Sequence, residues 1–292
     1  SQVGSLGRSG IHAPDQFISL SQVIHEMRLF KSSYEVEIMK KAAAISSEAH
    51  IRAMKKARPG INEFQIEAEL TSSFISQGAR YPAYPSIVGG GKNACILHYT
   101  ENNSVIEDGD LVLVDAGAEY EFYAADITRT FPINGVFSDE QRAIYEVVLE
   151  AQAAAIEQVR PGNIWDDPHK AAVRVITEGL VDLQILTGEV NNLVESEAYR
   201  PYFMHKTGHW LGLDVHDVGE YKIDDQWRSF EPGMVTTVEP GLYLSRGIPG
   251  LDPKWFDIGV RIEDDVLVTN IGNEVITSGV PKVISEIEGL MS

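Results

Sequence analysis

Residues 107–117 read EDGDLVLVDAG, and residues 231–241 read EPGMVTTVEPG. Each is a glycine turn, a short apolar strand, and an acid placed just before a second glycine. One register sets Glu107 on Glu231, Gly109 on Gly233, Val114 on Val238, Asp115 on Glu239 and Gly117 on Gly241. The segments upstream also match. Val36, Ile38, Met39, Ala42, Ile45 and Ala49 recur at helical spacing from Ser33, and the run stops at Arg58-Pro59-Gly60. Asn62 with Gln65 has the form of a capping box, predicting a second helix to about Gln77. In the other half Ser138 with Gln141 opens a long helix that ends at Arg160-Pro161-Gly162, and a further helix is predicted across Lys170 to Ile176. A strand is predicted from Gly89-Gly90-Gly91 to Leu97-His98. A duplicated helix-helix-strand unit predicts an α+β fold with pseudo-two-fold symmetry, strands lining a central site and helices outside. Asp115 and Glu239 then face each other across the axis.

Those acids need an explanation. Asp115 follows Val-Leu-Val, Asp126 follows Ala-Ala, and Glu239 follows Thr-Thr-Val. A carboxylate buried in such surroundings is usually paired, protonated or bound to a cation. With His209 and Glu263 they form five candidate ligands, a hard, oxygen-rich set that suits a pair of divalent ions better than one structural zinc. That points to a metallohydrolase. A short hairpin centred near Tyr120-Glu121 makes Asp115 and Asp126 direct cross-strand neighbours, whose like charges call for a cation between them. The alternative is an ion pair between Asp126 and Arg129. Alternation in Val-Arg-Ile-Glu puts Arg261 and Glu263 on one face, either at a site or as a surface ion pair. Asp264 and Asp265 follow, and spacing does not choose among the three acids. Residues 205–217, HKTGHWLGLDVHD, carry His205, His209 and His216, and His98 is a fourth candidate in the first half. One neutral imidazole can serve as a ligand, while the others can donate hydrogen bonds or carry protons.

The bulk numbers narrow the class. A chain of 292 residues that is 43% hydrophobic holds one large domain or two modest ones. A formal charge of −19 argues against a nucleic-acid partner. No apolar run approaches the ~20 residues of a membrane span, and there is no signal-peptide pattern, so a cytoplasmic protein is expected. The single cysteine, Cys95, rules out an intrachain disulfide. It lies three residues before His98, yet no third group is evident to orient such a pair, so it reads as a small apolar residue.

The motifs resemble aminopeptidase P, within the pita-bread metallopeptidase family that also holds prolidase and methionine aminopeptidase. The likeness runs from about His25 to Met291 and is carried by ILHYTEN (96–102), LVDAG (113–117) and DITRTFP (126–132). It continues through HWLGLDVHDVG (209–219), TVEPGLY (237–243) and GVRIEDD (259–265). The resemblance implies a pita-bread fold, with duplicated units around a curved antiparallel sheet. It implies two metal ions, with manganese preferred: His209 and Glu239 on one ion, Asp115 and Asp126 sharing the second and reaching in part to both, and Glu263 bridging. His98, His205 and His216 would grip substrate around the scissile bond, and Tyr243 and Arg261 would lie beside the site as substrate-binding residues. The implied reaction is attack by a metal-bridging hydroxide, with His216 and His205 stabilising the oxyanion and Glu239 passing a proton to the leaving nitrogen. The substrates would be peptides with proline second. Methionine aminopeptidase, prolidase and a non-catalytic binding module are the alternatives. Residues 1–32, with a Gly/Ser-containing start at 1–10, are expected to be the linker or tail of a preceding domain, and 33–292 the catalytic domain. Such a preceding domain bears on site entrance and on homo-oligomer contacts. Lys206 departs from the family, which usually has a small residue there. It is expected to point to solvent, or else to lower the pKa of a neighbouring histidine.

Overall fold

The computed structural model describes residues 18–292. The Gly/Ser-containing stretch at 1–10 lies outside the described residues. Three helices open the chain: α1 (Ser21–Leu29), α2 (Ser33–Lys56) and α3 (Glu63–Ser76). The strands β1 (Tyr81–Pro82), β2 (Ile87–Gly90), β3 (Leu111–Asp115), β4 (Ala118–Tyr120), β5 (Tyr123–Ala124) and β6 (Thr128–Pro132) follow. The second half begins with α4 (Asp139–Gln158), α5 (Asp167–Asp182) and α6 (Val190–Glu195), then β7 (Lys222–Ile223) and β8 (Gln226–Trp227). It closes with β9 (Val235–Val238), β10 (Gly241–Leu244), β11 (Ile258–Arg261), β12 (Asp264–Val268), β13 (Asn273–Val275) and α7 (Ile284–Met291). Among the described residues no helix is long and apolar enough to cross a membrane.

The duplication is visible in three dimensions. One half carries α2 packed on α3 and β3 paired between β2 and β6; the other carries α4 packed on α5 and β9 paired between β12 and an antiparallel bridge at Trp210. Local chemistry starts the equivalent helices alike. At α2 the Ser32 N–H donates to Glu35 Oε2 at 2.7 Å, and Glu35 N–H donates back to Ser32 Oγ. At α4 the same exchange joins Ser138 and Gln141 at 3.0 and 3.2 Å. Both helices give way to Pro-Gly turns whose glycines are left-handed, φ +87° at Gly60 and +94° at Gly162. The turns entering β3 and β9 match as well, with φ +90° at Gly109 and +92° at Gly233. The apolar stripe of α2 and every residue of β3, β6, β9 and β12 are buried, so the acids at the strand ends emerge from the core itself.

Three details differ from the sequence reading. The helix expected across Lys170 to Ile176 is longer, spanning Asp167–Asp182. The strand expected to reach His98 stops at Gly90, and Gly91–Cys95 form a 3-10 turn. The cause is Glu63, wholly buried in α3, whose carboxylate collects four donors from this segment. Gly90 N–H and Asn93 Nδ2 donate to Oε1 at 2.8 and 2.9 Å, and Tyr99 Oη and Ser104 N–H to Oε2 at 2.7 and 2.9 Å. That is more than a continued strand could supply. Glu63→Ala leaves those donors unpaired, and chemical denaturation should show a loss of about 3 kcal/mol or more. A change below about 1 kcal/mol would mean that the segment holds its shape without this anchor.

The third difference is register. The hairpin turns at Glu121-Phe122, with Tyr120 opposite Tyr123, so Asp115 faces Thr128 and not Asp126. The shift is two residues. A slip of two keeps every side chain on its face, so Asp126 remains a diagonal neighbour of Asp115. Gly117 makes this possible: a Cβ there would sit 1.7 Å from the Ala125 carbonyl oxygen.

Candidate metal centre

The five candidate ligands meet in one cleft of about 440 Å³ between the two halves. Asp115 ends β3, and Asp126 sits between β5 and β6. His209 lies in the loop that bridges to Thr236, Glu239 follows β9, and Glu263 separates β11 from β12. Donor atoms of Asp126, His209 and Glu263 lie within 4.8 Å of one another. Glu239 Oε1 is 3.7 Å from His209 Nε2, and Asp126 Oδ2 is 3.4 Å from the same nitrogen. Asp115 joins through Tyr84, whose hydroxyl lies 2.7 Å from Asp115 Oδ1 and 2.5 Å from Asp126 Oδ1.

Glu263 is the acid of the three that enters the cleft. Asp264 turns away to Arg129 at 2.8 Å and Lys282 at 2.6 Å. Asp265 accepts the Asp126 N–H from below. Arg129 is therefore not the partner of Asp126. Nor do Arg261 and Glu263 form a surface pair: both are buried, Arg261 donating to Asp115 Oδ2 at 2.7 Å and Glu263 accepting from Thr128 Oγ1 at 2.6 Å.

The arrangement fits a divalent cation. Four carboxylates converge, and among the described residues the cationic side chains touching them are Arg261 on Asp115 and the His209 imidazole beside Asp126 and Glu239. Burial raises the pKa of Asp115, Glu239 and Glu263, with the neighbouring acids adding to it, and Glu239 reaches about 7. His209 is oriented as a ligand: its Nδ1–H donates to the Trp210 carbonyl at 3.0 Å, which turns Nε2 toward the acids. Burial pulls the His209 pKa down, but the Asp126 hydrogen bond and the charges of Glu239 and Asp126 outweigh it and push it up to about 9.

This makes a pH prediction. The metal-free His209 is protonated at pH 7; its stabilisation is complete below the unfolded value near 6.5 and is lost as pH rises through about 9. A cation must displace that proton. Binding of Mn²⁺ to stripped protein at pH 7 should therefore release protons and tighten as pH rises toward 9. Calorimetry in buffers of different ionisation heat reads this, and buffer-independent heats would contradict it.

The remaining candidates are placed unequally. His98, His205 and His216 all line the cleft. His205 has both nitrogens engaged. Burial lowers its pKa to about 3, so it is neutral; Nδ1–H donates to the Lys206 carbonyl at 2.7 Å, and Nε2 accepts from Tyr243 Oη at 2.8 Å. Tyr243 in turn accepts from Arg261 Nη1 at 3.0 Å and is 1% exposed, so it stands behind the cleft wall. The rings of His98 and His216 make no hydrogen bond to protein among the described residues, and His216 packs against His209 at 4.2 Å between centroids. Lys206 is exposed, as expected of it, and lies near enough to His169 to lower that histidine's pKa. The Cys95 thiol is pushed up to about 12 by burial, which suits an inert side chain. Tyr84 and Thr128 were missed by sequence reasoning. Thr128 lies inside a recognised motif, two residues from Asp126; Tyr84, in Tyr-Pro-Ala-Tyr-Pro, carries no signal of its own.

The geometry agrees with what comparison shows. The model of metallopeptidase family M24 matches residues 37–270. The Xaa-Pro aminopeptidase of Escherichia coli K12 is 50% identical over 284 residues, covering 97% of this chain and 64% of that protein. That of Haemophilus influenzae is 53% identical over 270 residues, covering 92% of this chain and 62% of its own length. The solved aminopeptidase PepP of Pseudomonas aeruginosa superposes with a TM-score of 0.98 at 55% identity, covering 99% of this chain and 66% of that one. The chain thus spans a little under two thirds of the relatives it matches. With the ligand cluster, the duplicated halves and the family match in agreement, this chain has the pita-bread fold and belongs to metallopeptidase family M24.

Proposed function

We propose that this chain carries the active site of a Xaa-Pro aminopeptidase, releasing the N-terminal residue from peptides with proline second. The observation that carries the reading is about half identity to two Xaa-Pro aminopeptidases over more than nine tenths of the chain. Asp115, Asp126, His209, Glu239 and Glu263 would hold two divalent ions, and the preponderance of carboxylate oxygens favours Mn²⁺. When bound, such ions activate water and polarise a carbonyl.

The chain's own groups supply the rest. Glu239, its carboxyl raised to about 7 by burial, is suited to hold a proton near neutrality and pass it from Oε to the departing proline nitrogen. His98 and His216 have ring nitrogens available to donate to the substrate carbonyl. His205 reaches substrate only by breaking one of its two hydrogen bonds; as it stands, the Arg261–Tyr243–His205 chain fixes the cleft wall. Tyr243 and Arg261 serve there as positioning residues. A cytoplasmic setting, residues 1–32 as the linker or tail of a preceding domain, and a homo-oligomer belong to the same proposal.

Hydrolysis of Arg-Pro-Pro, Met-Ala-Ser and Ala-Pro after metal stripping and Mn²⁺ readdition tests it. Mn²⁺-dependent release of Arg from the first peptide alone is expected. Cleavage of only the second or only the third would move the assignment to methionine aminopeptidase or prolidase. Bound metal without any cleavage would mean that a preceding domain is needed for activity or that this is a binding module.

A further inference from the structure

A second cavity of about 290 Å³ lies behind the segment that carries His205 and His209. Trp165, Tyr221, Trp227 and Phe230 supply aromatic wall, and Lys206, Thr207 and Gly208 form the side nearest the cleft. Lys206 and Gly208 line both cavities, so a single strand of chain separates them. The aromatic wall is preformed. The Trp165 ring lies 4.1 Å from Trp210, 4.5 Å from Tyr221 and 5.8 Å from Phe230, centroid to centroid.

Two polar groups decide what such a space would take. His169 has Nδ1 2.8 Å from Thr207 Oγ1, and its Nε2 has no protein partner among the described residues. Burial, with the charge of Lys206, lowers its pKa to about 4, so the ring is neutral; with the Thr207 hydroxyl donating to Nδ1, its one N–H lies on Nε2 and is free to donate. The Lys206 ammonium has no carboxylate within ion-pair distance among the described residues, whereas the cavity's Asp166 is engaged by Lys170 at 3.1 Å. The unbalanced charge at the cavity is therefore positive.

We infer that this cavity is a binding site for a small aromatic carboxylate, its ring against Trp165 and Trp227 and its carboxylate between Lys206 and His169. Concave, mostly apolar spaces with one or two convergent polar groups are the usual form of such sites. Its wall is also part of the candidate centre: the Thr207 carbonyl accepts the Glu239 N–H at 2.8 Å, and His209 follows two residues later. A ligand held there would bear on the segment that sets both groups. Binding itself does not depend on the peptidase proposal.

The probe is 3-phenylpropanoate, titrated into the whole chain after chelation and followed by calorimetry and saturation-transfer NMR. Saturable binding is expected, with saturation strongest at the ring protons. It should weaken at least tenfold in Lys206→Met and in His169→Leu, and at least tenfold for 3-phenylpropanol in place of the acid. Lys206 is exposed, so the first variant should fold, and its melting curve checks this. Three results would overturn the proposal: no saturable binding, equal binding of 3-phenylpropylammonium, or binding that requires Mn²⁺ and so belongs to the metal cleft.

Discussion

Glu239→Gln is expected to lower turnover of Arg-Pro-Pro by about 10²- to 10⁴-fold, the range for loss of a positioned acid–base group. Glutamine keeps an oxygen that can face a cation, but it cannot accept and return a proton. The fold should survive, because Glu239 is held by its backbone, N–H to the Thr207 carbonyl at 2.8 Å, and among the described residues its carboxylate comes within ion-pair distance of the imidazoles of His205 and His209 alone, at 3.7 to 3.8 Å. Metal content by elemental analysis and the melting temperature should be measured on the same preparation. Near-native turnover at full metal content would remove Glu239 from the chemistry. Equal losses of turnover and metal would leave it a ligand only.

Arg129→Met is expected to cost about 3–5 kcal/mol of stability, the penalty for breaking a buried ion pair by removing one partner. Arg129 is fully buried and donates to Asp264 Oδ1 at 2.8 Å and to the carbonyls of Thr128, Glu263, Val280 and Pro281. It thereby ties β6 to the segment carrying Glu263, so metal affinity should fall with stability. Lys282, Thr277 and Gln152 also serve Asp264, which places the effect toward the lower end. The pH dependence has a definite sign. Burial raises the Asp264 pKa, but Arg129 and Lys282 outweigh it and hold the carboxyl below its ordinary value. Its stabilisation is present above the unfolded value near 3.9 and is lost as pH falls through the lower folded one. Wild type should thus shed this increment only in strong acid, and the variant should show a flatter acid limb. Denaturation midpoints between pH 2 and 7 measure both, and a variant within 1 kcal/mol of wild type would refute the assignment.

Much of this was legible beforehand because it is local. Asn62, Ser138 and the Pro-Gly turns act within four residues of themselves, so capping and left-handed glycines follow from short stretches of chain. The periodicity of α2 and the repeat of 107–117 in 231–241 follow from patterning alone. The four candidate acids, Asp115, Asp126, Glu239 and Glu263, were visible because an acid beside a buried strand demands a counter-charge wherever the strand goes, and His209 was singled out by the three histidines clustered in residues 205–217. The hairpin was misplaced by two residues because Glu121 and Phe122 take left-handed conformations, φ +47° and +72°, that their residue types do not announce. The strand to His98 failed because its competitor, Glu63, lies on another element.

From the sequence alone came the two halves, the candidate ligand set, and a resemblance that the family match bears out. Spacing left Glu263, Asp264 and Asp265 open and only the resemblance named Glu263; the tertiary structure shows where Asp264 and Asp265 turn instead, that Tyr84 joins the two aspartates, and that His205 is engaged on both nitrogens. The division has a physical cause. Backbone propensity and strand alternation depend on neighbours in the chain, whereas the charge state and direction of a buried acid depend on whatever cation or donor folding brings against it. Arg129 for Asp264 and Arg261 for Asp115 are such partners, and pairings across more than a hundred residues are not written in any local stretch.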